Sequence, residues 1–284
     1  MSDRLRPLWN FDDLTATERR LRDQLAEETT DGGRAEVLTQ LARVRGLHGD
    51  FEGGDLLVGD AAAIAGSDQI ALARVDLERG RLRRSSGNRE AALPLFESAF
   101  TRALESEHYF MAVDAAHMAA LAAPDRAGFV EWTERGVELA EAHASARYWL
   151  GPLLNNLGWE YYEAGDFEQA LDAFQRALAT READPENRAA IEIARYAVGK
   201  TLRELGRSDD AIPLLQQATT WAIDNGAPDG WFHEELAEEY AAVGRRDEAH
   251  EHARLALPLL LEADPSFAED VKRSARLRQL AGDR

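Results

Sequence analysis

Four side chains in the middle of the chain carry chemistry suited to holding another molecule: Asn155, Asn156, Lys200 and Arg203. Each asparagine amide offers two donors and an acceptor, a set that clamps a peptide backbone in bidentate fashion, while lysine and arginine supply charge for a carboxylate or phosphate. Arg203 follows Lys200 by one helical turn, so both cations can reach a single anionic group. Catalytic chemistry is missing by comparison. The sequence has no Gly-x-Ser-x-Gly elbow, no phosphate loop, no Gly-x-Gly-x-x-Gly and no His-Glu-x-x-His. In His250-Glu251-His252 the imidazoles stand at i and i+2, which point in different directions from a helix, so the cluster reads as a solvated face and not a metal chelate. Cysteine is absent, which removes disulfides, thiolate ligands and cysteine nucleophiles together. Carboxylates are abundant but scattered, and no acid-base pair separates from them. The chain is therefore read as non-enzymatic, with no metal and no cofactor.

Side chains of this kind need a scaffold, and the scaffold is written as a repeat. Five times a glycine is followed by a small residue five places on, an apolar one after four more, and alanine after another three. The phrase reads Gly49/Gly54/Val58/Ala61, Gly87/Ala92/Phe96/Ala99, Gly165/Ala170/Phe174/Ala177, Gly206/Ala211/Leu215/Ala218 and Gly244/Ala249/Ala253/Ala256. Intervals of four and three put the last three members on one helical face, and the glycine fits a tight turn entering that helix. The glycines are 38, 78, 41 and 38 residues apart, so the long gap has room for one further, degenerate copy. A period near forty means stacked helical hairpins. In the degenerate copy Pro124-Asp125 makes the turn, and Trp132 takes the bulky place held by Phe96 and Phe174.

The fourth copy, with Leu157, Gly158, Tyr161, Ala170, Phe174 and later Pro185, resembles the tetratricopeptide repeat, with Leu154 standing where that pattern has tryptophan. Its first helix and the run Phe174 to Glu182 are also similar to the long repeats of kinesin light chains and their bacterial relatives, which bind extended peptides. The resemblance implies an all-α, right-handed superhelical solenoid of about six hairpins. Residues 1–32 form an N-terminal extended segment and capping helix, 33–265 the tandem array, and 266–284 a C-terminal capping helix whose cations give it a polar outer face. Thr15-x-x-Glu18 reads as a capping box for the first helix, and Asp31-Gly32-Gly33 as its end. Leu8, Trp9 and Phe11 should pack against protein rather than remain in water.

The same resemblance puts ligand-facing side chains on the first helix of each hairpin, at three before, two before, one after and four after the Gly158-type position. These are Asn155, Asn156, Trp159 and Tyr162 in the fourth hairpin, and Tyr196, Lys200 and Arg203 in the fifth. Earlier hairpins contribute Arg43, Asp114 and His117, the last also readable as a hydrogen-bonded partner of Asp114 or a neighbour. The second hairpin fits less cleanly. With Gly80 aligned to Gly158, charged Arg79 and Arg83 fall at packing positions, and Arg74, Arg81 and Arg84 face groove or solvent; Arg81 is kept as a candidate. Packing between hairpins is the alternative role for Trp159, Tyr162 and Tyr196.

Composition bounds the partners. The net charge of −19 disfavours phosphate-backbone binding. No run approaches the ~18 apolar residues of a membrane span, and MSDRLRPLWNFDD lacks a secretory apolar stretch, so a cytoplasmic protein without membrane contact is expected. The leading functional expectation is a module that binds an extended peptide of another protein in its groove. Self-association through the terminal helices is the rival, and a small-molecule or peptide sensor a third reading.

Overall fold

The computed structural model describes residues 3–183 and 187–282. Pro185, expected to close the fourth hairpin, lies outside them. Among the described residues there are fourteen α-helices and no strand. They are α1 (Leu14–Glu27), α2 (Asp31–Leu47), α3 (Phe51–Ala65), α4 (Gln69–Ser85), α5 (Arg89–Glu105), α6 (Tyr109–Ala122), α7 (Arg126–Ala142), α8 (Leu150–Glu163), α9 (Phe167–Glu182), α10 (Arg188–Glu204), α11 (Ser208–Asp224), α12 (Gly230–Ala242), α13 (Arg246–Ala263) and α14 (Val271–Leu280). Short 3-10 turns occupy Arg6–Leu8 and Ala144–Trp149. The helices from α2 to α13 form six hairpins, each begun by an even-numbered helix, and α1 and α14 flank them.

The repeat phrase explains this order. Its five glycines all sit in the turn between the helices of a hairpin with φ between 70° and 92°, a region L side chains rarely adopt. The apolar residue of the phrase is then the eighth residue of each second helix, and it is buried in every case: Val58, Phe96, Phe174, Leu215 and Ala253. Three of these side chains lie directly over a first-helix glycine. A methyl added to Gly80 would meet Phe96 at 2.5 Å, one on Gly158 would meet Phe174 at 2.5 Å, and one on Gly199 would meet Leu215 at 2.7 Å. Glycine there lets the two helices of a hairpin close on a large side chain.

Several local readings are corrected. The eighth residue of α7 is Thr133, fully buried, so Thr133 and not Trp132 takes the phrase position; Trp132 is half-buried and edge-on to Phe100 at 5.2 Å. Asp13, not Thr15, caps α1, accepting from the Ala16 amide. Gly32 and Gly33 do not end α1. They open α2, because the Thr30 hydroxyl accepts from the Gly33 amide and so starts a helix there. The N-terminal segment is not extended throughout, since Trp9 donates its backbone amide to the Arg6 carbonyl in a 3-10 turn.

The chain divides into two compact units, residues 1–153 and 154–284. In the first, α4 packs on α2 and α6, so three first helices form one face. Ala73, Leu77, Phe96, Phe100, Met111 and Ala115 belong to its central core. In the second, α10 packs on α12, and Phe174, Tyr196, Leu202, Leu215, Phe232 and Tyr240 share a core.

Candidate functional site

In the first unit the face made by α2, α4 and α6 is already occupied, by residues 3–11 of the chain itself. Leu5 is buried with Leu21, Val37, Leu41 and Val44, which anchors the segment between α1 and α2. Both Asp3 carboxylate oxygens accept from Arg74 on α4, at 2.7 and 3.0 Å, and Arg74 also donates to Glu36 on α2 at 2.7 Å. Burial opposes the charges of Asp3 and Arg74, but their contact prevails: the Asp3 carboxyl titrates below its ordinary range and Arg74 above its own. The Trp9 indole donates to Gln40 at 3.0 Å, and Arg43 stacks over the rings of Trp9 and Phe11 at 5.1 and 5.4 Å. Arg6 donates to the Tyr148 hydroxyl at 2.8 Å and lies over that ring.

Arg81 lies on the same face and settles the second hairpin. Gly80 and Gly158 hold equivalent phenylalanines, so Arg81 stands one after the glycine, as Trp159 does in its hairpin, and Glu78 stands two before. Arg81 pairs with both Glu78 and Asp114. Arg83 points instead to α3, where it meets Asp55 at 2.6 Å, and Arg84 donates to the Leu121 carbonyl. Asp114 is engaged by Arg81, and the His117 ring tilts against Trp149 at 5.6 Å, where burial lowers its pKa.

The second unit presents the other candidates. Asn155 and Asn156 are half-buried on α8, and among the described residues neither amide has a hydrogen-bond partner. Trp159 sits edge-on to Tyr162 at 5.5 Å and to Phe174 at 5.0 Å, which makes it part of the packing over Gly158. Tyr162 donates to Glu204 at 3.1 Å. Tyr196 is buried against Phe232, at 5.3 Å between rings. Lys200 and Arg203 do reach one anionic group together, and it is internal: the Glu235 carboxylate of α12, with Arg203 at 2.8 Å. Burial raises the pKa of this carboxyl, but the two cations outweigh it and hold it below the ordinary value.

The last helix also turns inward. Arg273 donates to both oxygens of Glu234 at 2.7 and 2.5 Å, and Arg276 pairs with Glu238 at 3.0 Å, so two cations expected on an outer face cover α12. His252 departs from the solvated-face reading as well. Its Nδ1 stands 2.8 Å from Nδ1 of buried His233, while His250 lies 3.2 Å from the Leu280 carbonyl oxygen.

Residues 152–183 match the tetratricopeptide repeat family, over the hairpin whose Gly158 and Phe174 interlock. That hairpin is a tetratricopeptide repeat. Similar solved structures include BtubC (BKLC) from P. vanneervenii, 19% identical with a TM-score of 0.62 over 79% of this chain and 94% of that one. The C-terminal part of a tetratricopeptide repeat-containing protein from Cytophaga hutchinsonii is 12% identical, with a TM-score of 0.57 over 95% and 97% of the two chains. Aspartyl phosphate phosphatase F from Bacillus subtilis is 13% identical, with a TM-score of 0.56 over 98% and 79%. Such likeness shows the fold. No curated protein matches the chain.

The tetratricopeptide register therefore locates the face but not its occupancy. Sequence reasoning missed Arg6, Glu78, Tyr148 and Trp149 as members of it. Glu78 follows from the register once Gly80 is aligned. The adjacent pair Tyr148-Trp149 stands in a 3-10 turn outside the repeat, and its only signal is two large aromatics next to a helix start.

Among the described residues no helix is long and apolar enough to cross a membrane.

Proposed function

We propose that this tetratricopeptide-repeat protein is a non-enzymatic module that binds a peptide segment of a partner protein along its first-helix faces. One observation carries the reading: residues 3–11, a non-repetitive stretch of polypeptide, are held across α2 and α4 by a carboxylate pair, an indole hydrogen bond and a stacked guanidinium. A face that holds its own chain in this way has the chemistry to hold another. In the second unit the unpartnered amides of Asn155 and Asn156 are the groups that favour a peptide backbone, since an amide left without partners gains most from a ligand. Lys200 and Arg203 contribute less, because Glu235 and Glu204 together already neutralise them.

The test is selection of displayed peptides against the full chain, followed by anisotropy measurements on the winners. Asn155→Ala and Asn156→Ala should each weaken binding by about 1 kcal/mol while the melting temperature stays put, because no internal hydrogen bond is lost. Failure to select any peptide, or binding that ignores both substitutions and Arg43→Ala, would overturn the proposal.

A further inference from the structure

A cavity of about 120 Å³ lies in the first unit between the N-terminal segment and the face of α2, α4 and α6. Liquid water takes about 30 Å³ per molecule, so the space suits roughly four waters or one small organic molecule. Its lining is chemically unfinished. The Glu78 side chain is 1% exposed; one carboxylate oxygen pairs with Arg81, and the other, Oε2, has no partner. The Trp149 indole N–H is also buried without an acceptor. Arg43 and Arg6 line the same cavity, stacked on aromatic rings, and neither forms an ion pair with a carboxylate among the described residues. Burial and then the neighbouring Arg81 charge push the Arg43 guanidinium below its ordinary pKa, against the opposing pull of the Glu78 and Asp114 carboxylates.

The charges around the cavity are therefore unbalanced in two opposite senses. Glu78 and Asp114 share the single guanidinium of Arg81, which leaves negative charge in excess there. Arg6 and Arg43 put two positive charges on the same lining, and among the described residues no ion pair joins them to those carboxylates, although Arg43 feels the charge of both. A molecule carrying both charges would answer both. Buried polar atoms are normally satisfied, and two residues of this lining each carry an orphaned atom, one a donor and the other a carboxylate oxygen, which calls for a ligand that both accepts and donates.

We propose that the cavity is a binding site for a small zwitterion of free amino-acid size. Its carboxylate accepts from Arg43 and the Trp149 indole, with Arg6 beside them, and its ammonium donates to Glu78 Oε2 with Asp114 near it. Arg6 and Trp9 belong to the N-terminal segment, so an occupied cavity also holds that segment on the face. The site goes beyond peptide binding and stands whether or not a partner peptide is found.

Thermal denaturation of the full chain with each of the twenty amino acids at millimolar concentration tests this, beside the matched amine and carboxylic acid that lack one of the two charges. At least one amino acid should raise the melting temperature, and neither of its singly charged counterparts should. By calorimetry R43Q and W149F should each weaken that amino acid at least about tenfold, the scale of a lost charge-assisted hydrogen bond. Both variants leave every ion pair in place, whereas E78Q also strips a partner from Arg81. If no amino acid stabilises the chain, the cavity holds only water and the proposal fails. Binding that persists at undiminished affinity in both R43Q and W149F would place the ligand elsewhere and overturn it equally.

Discussion

Glu235 joins two cations that the sequence offers to a ligand, and the consequence is a changed expectation for their removal. Arg203→Ala should lower stability by about 1–3 kcal/mol, because a carboxylate with a nearly buried side chain loses a charged donor, and denaturant melting will show it. If the melting curve is unmoved and peptide affinity falls instead, Arg203 serves a ligand after all. The His233–His252 pair predicts a pH response. Burial, and then the neighbouring His252, lower the pKa of His233 from 6.5 to about 4, so the folded state keeps it neutral. The unfolded chain binds the proton more readily between those values, and stability therefore declines as pH falls from about 6.5 towards 4. A shift of this size corresponds to about 3 kcal/mol. His233→Phe should flatten that part of the curve, measured by urea titration at several pH values.

Helical elements were legible in the sequence to the extent that they repeat. The glycine turns and the buried eighth residues of the second helices follow from spacing alone, because only one backbone geometry satisfies both. The interlocked pair should respond accordingly: Gly158→Ala gains about 1 kcal/mol of helix propensity but drives a methyl to 2.5 Å from Phe174, and overpacking of about 1–3 kcal/mol should give a net loss in melting temperature. Gly80→Ala against Phe96 should behave alike. Elements outside the repeat were read less well, for a physical reason. Asp31-Gly32-Gly33 carries the glycines of a helix stop, yet the Thr30 hydroxyl turns the same residues into a helix start. Arg273 and Arg276 have the composition of a solvated helix, and only the placement of Glu234 and Glu238 on α12 draws them inward. For the N-terminal segment the hydrophobic residues predicted packing but not where. Deleting residues 1–13 should lower the melting temperature, since Leu5 and the Asp3–Arg74 pair are lost. A synthetic peptide of those residues, added in trans, should raise it again, the gain growing with the logarithm of peptide concentration. An unaltered melting temperature on deletion would mean that the segment contributes nothing.

The molecule as a whole carries −19 charges, which repel an acidic peptide at long range and attract a basic one. Because Glu235 and Glu204 together cancel the groove cations, added salt should strengthen binding of an acidic peptide and weaken that of a basic one, and a salt series of anisotropy titrations distinguishes the two. The contacts of the N-terminal segment have a bearing on how such a chain is made. In a repeat array each hairpin needs only its neighbours, so structure can form in step with synthesis. Asp3, however, meets Arg74 71 positions later, and Arg6 meets Tyr148 after 142. Residues 3–11 thus leave the ribosome long before the last of the side chains that receive them exists. During that interval Asp3 and Arg6 are without those partners, and the segment is held only by what α1 and α2 offer it, Leu5 among Leu21, Val37, Leu41 and Val44 and Trp9 on Gln40.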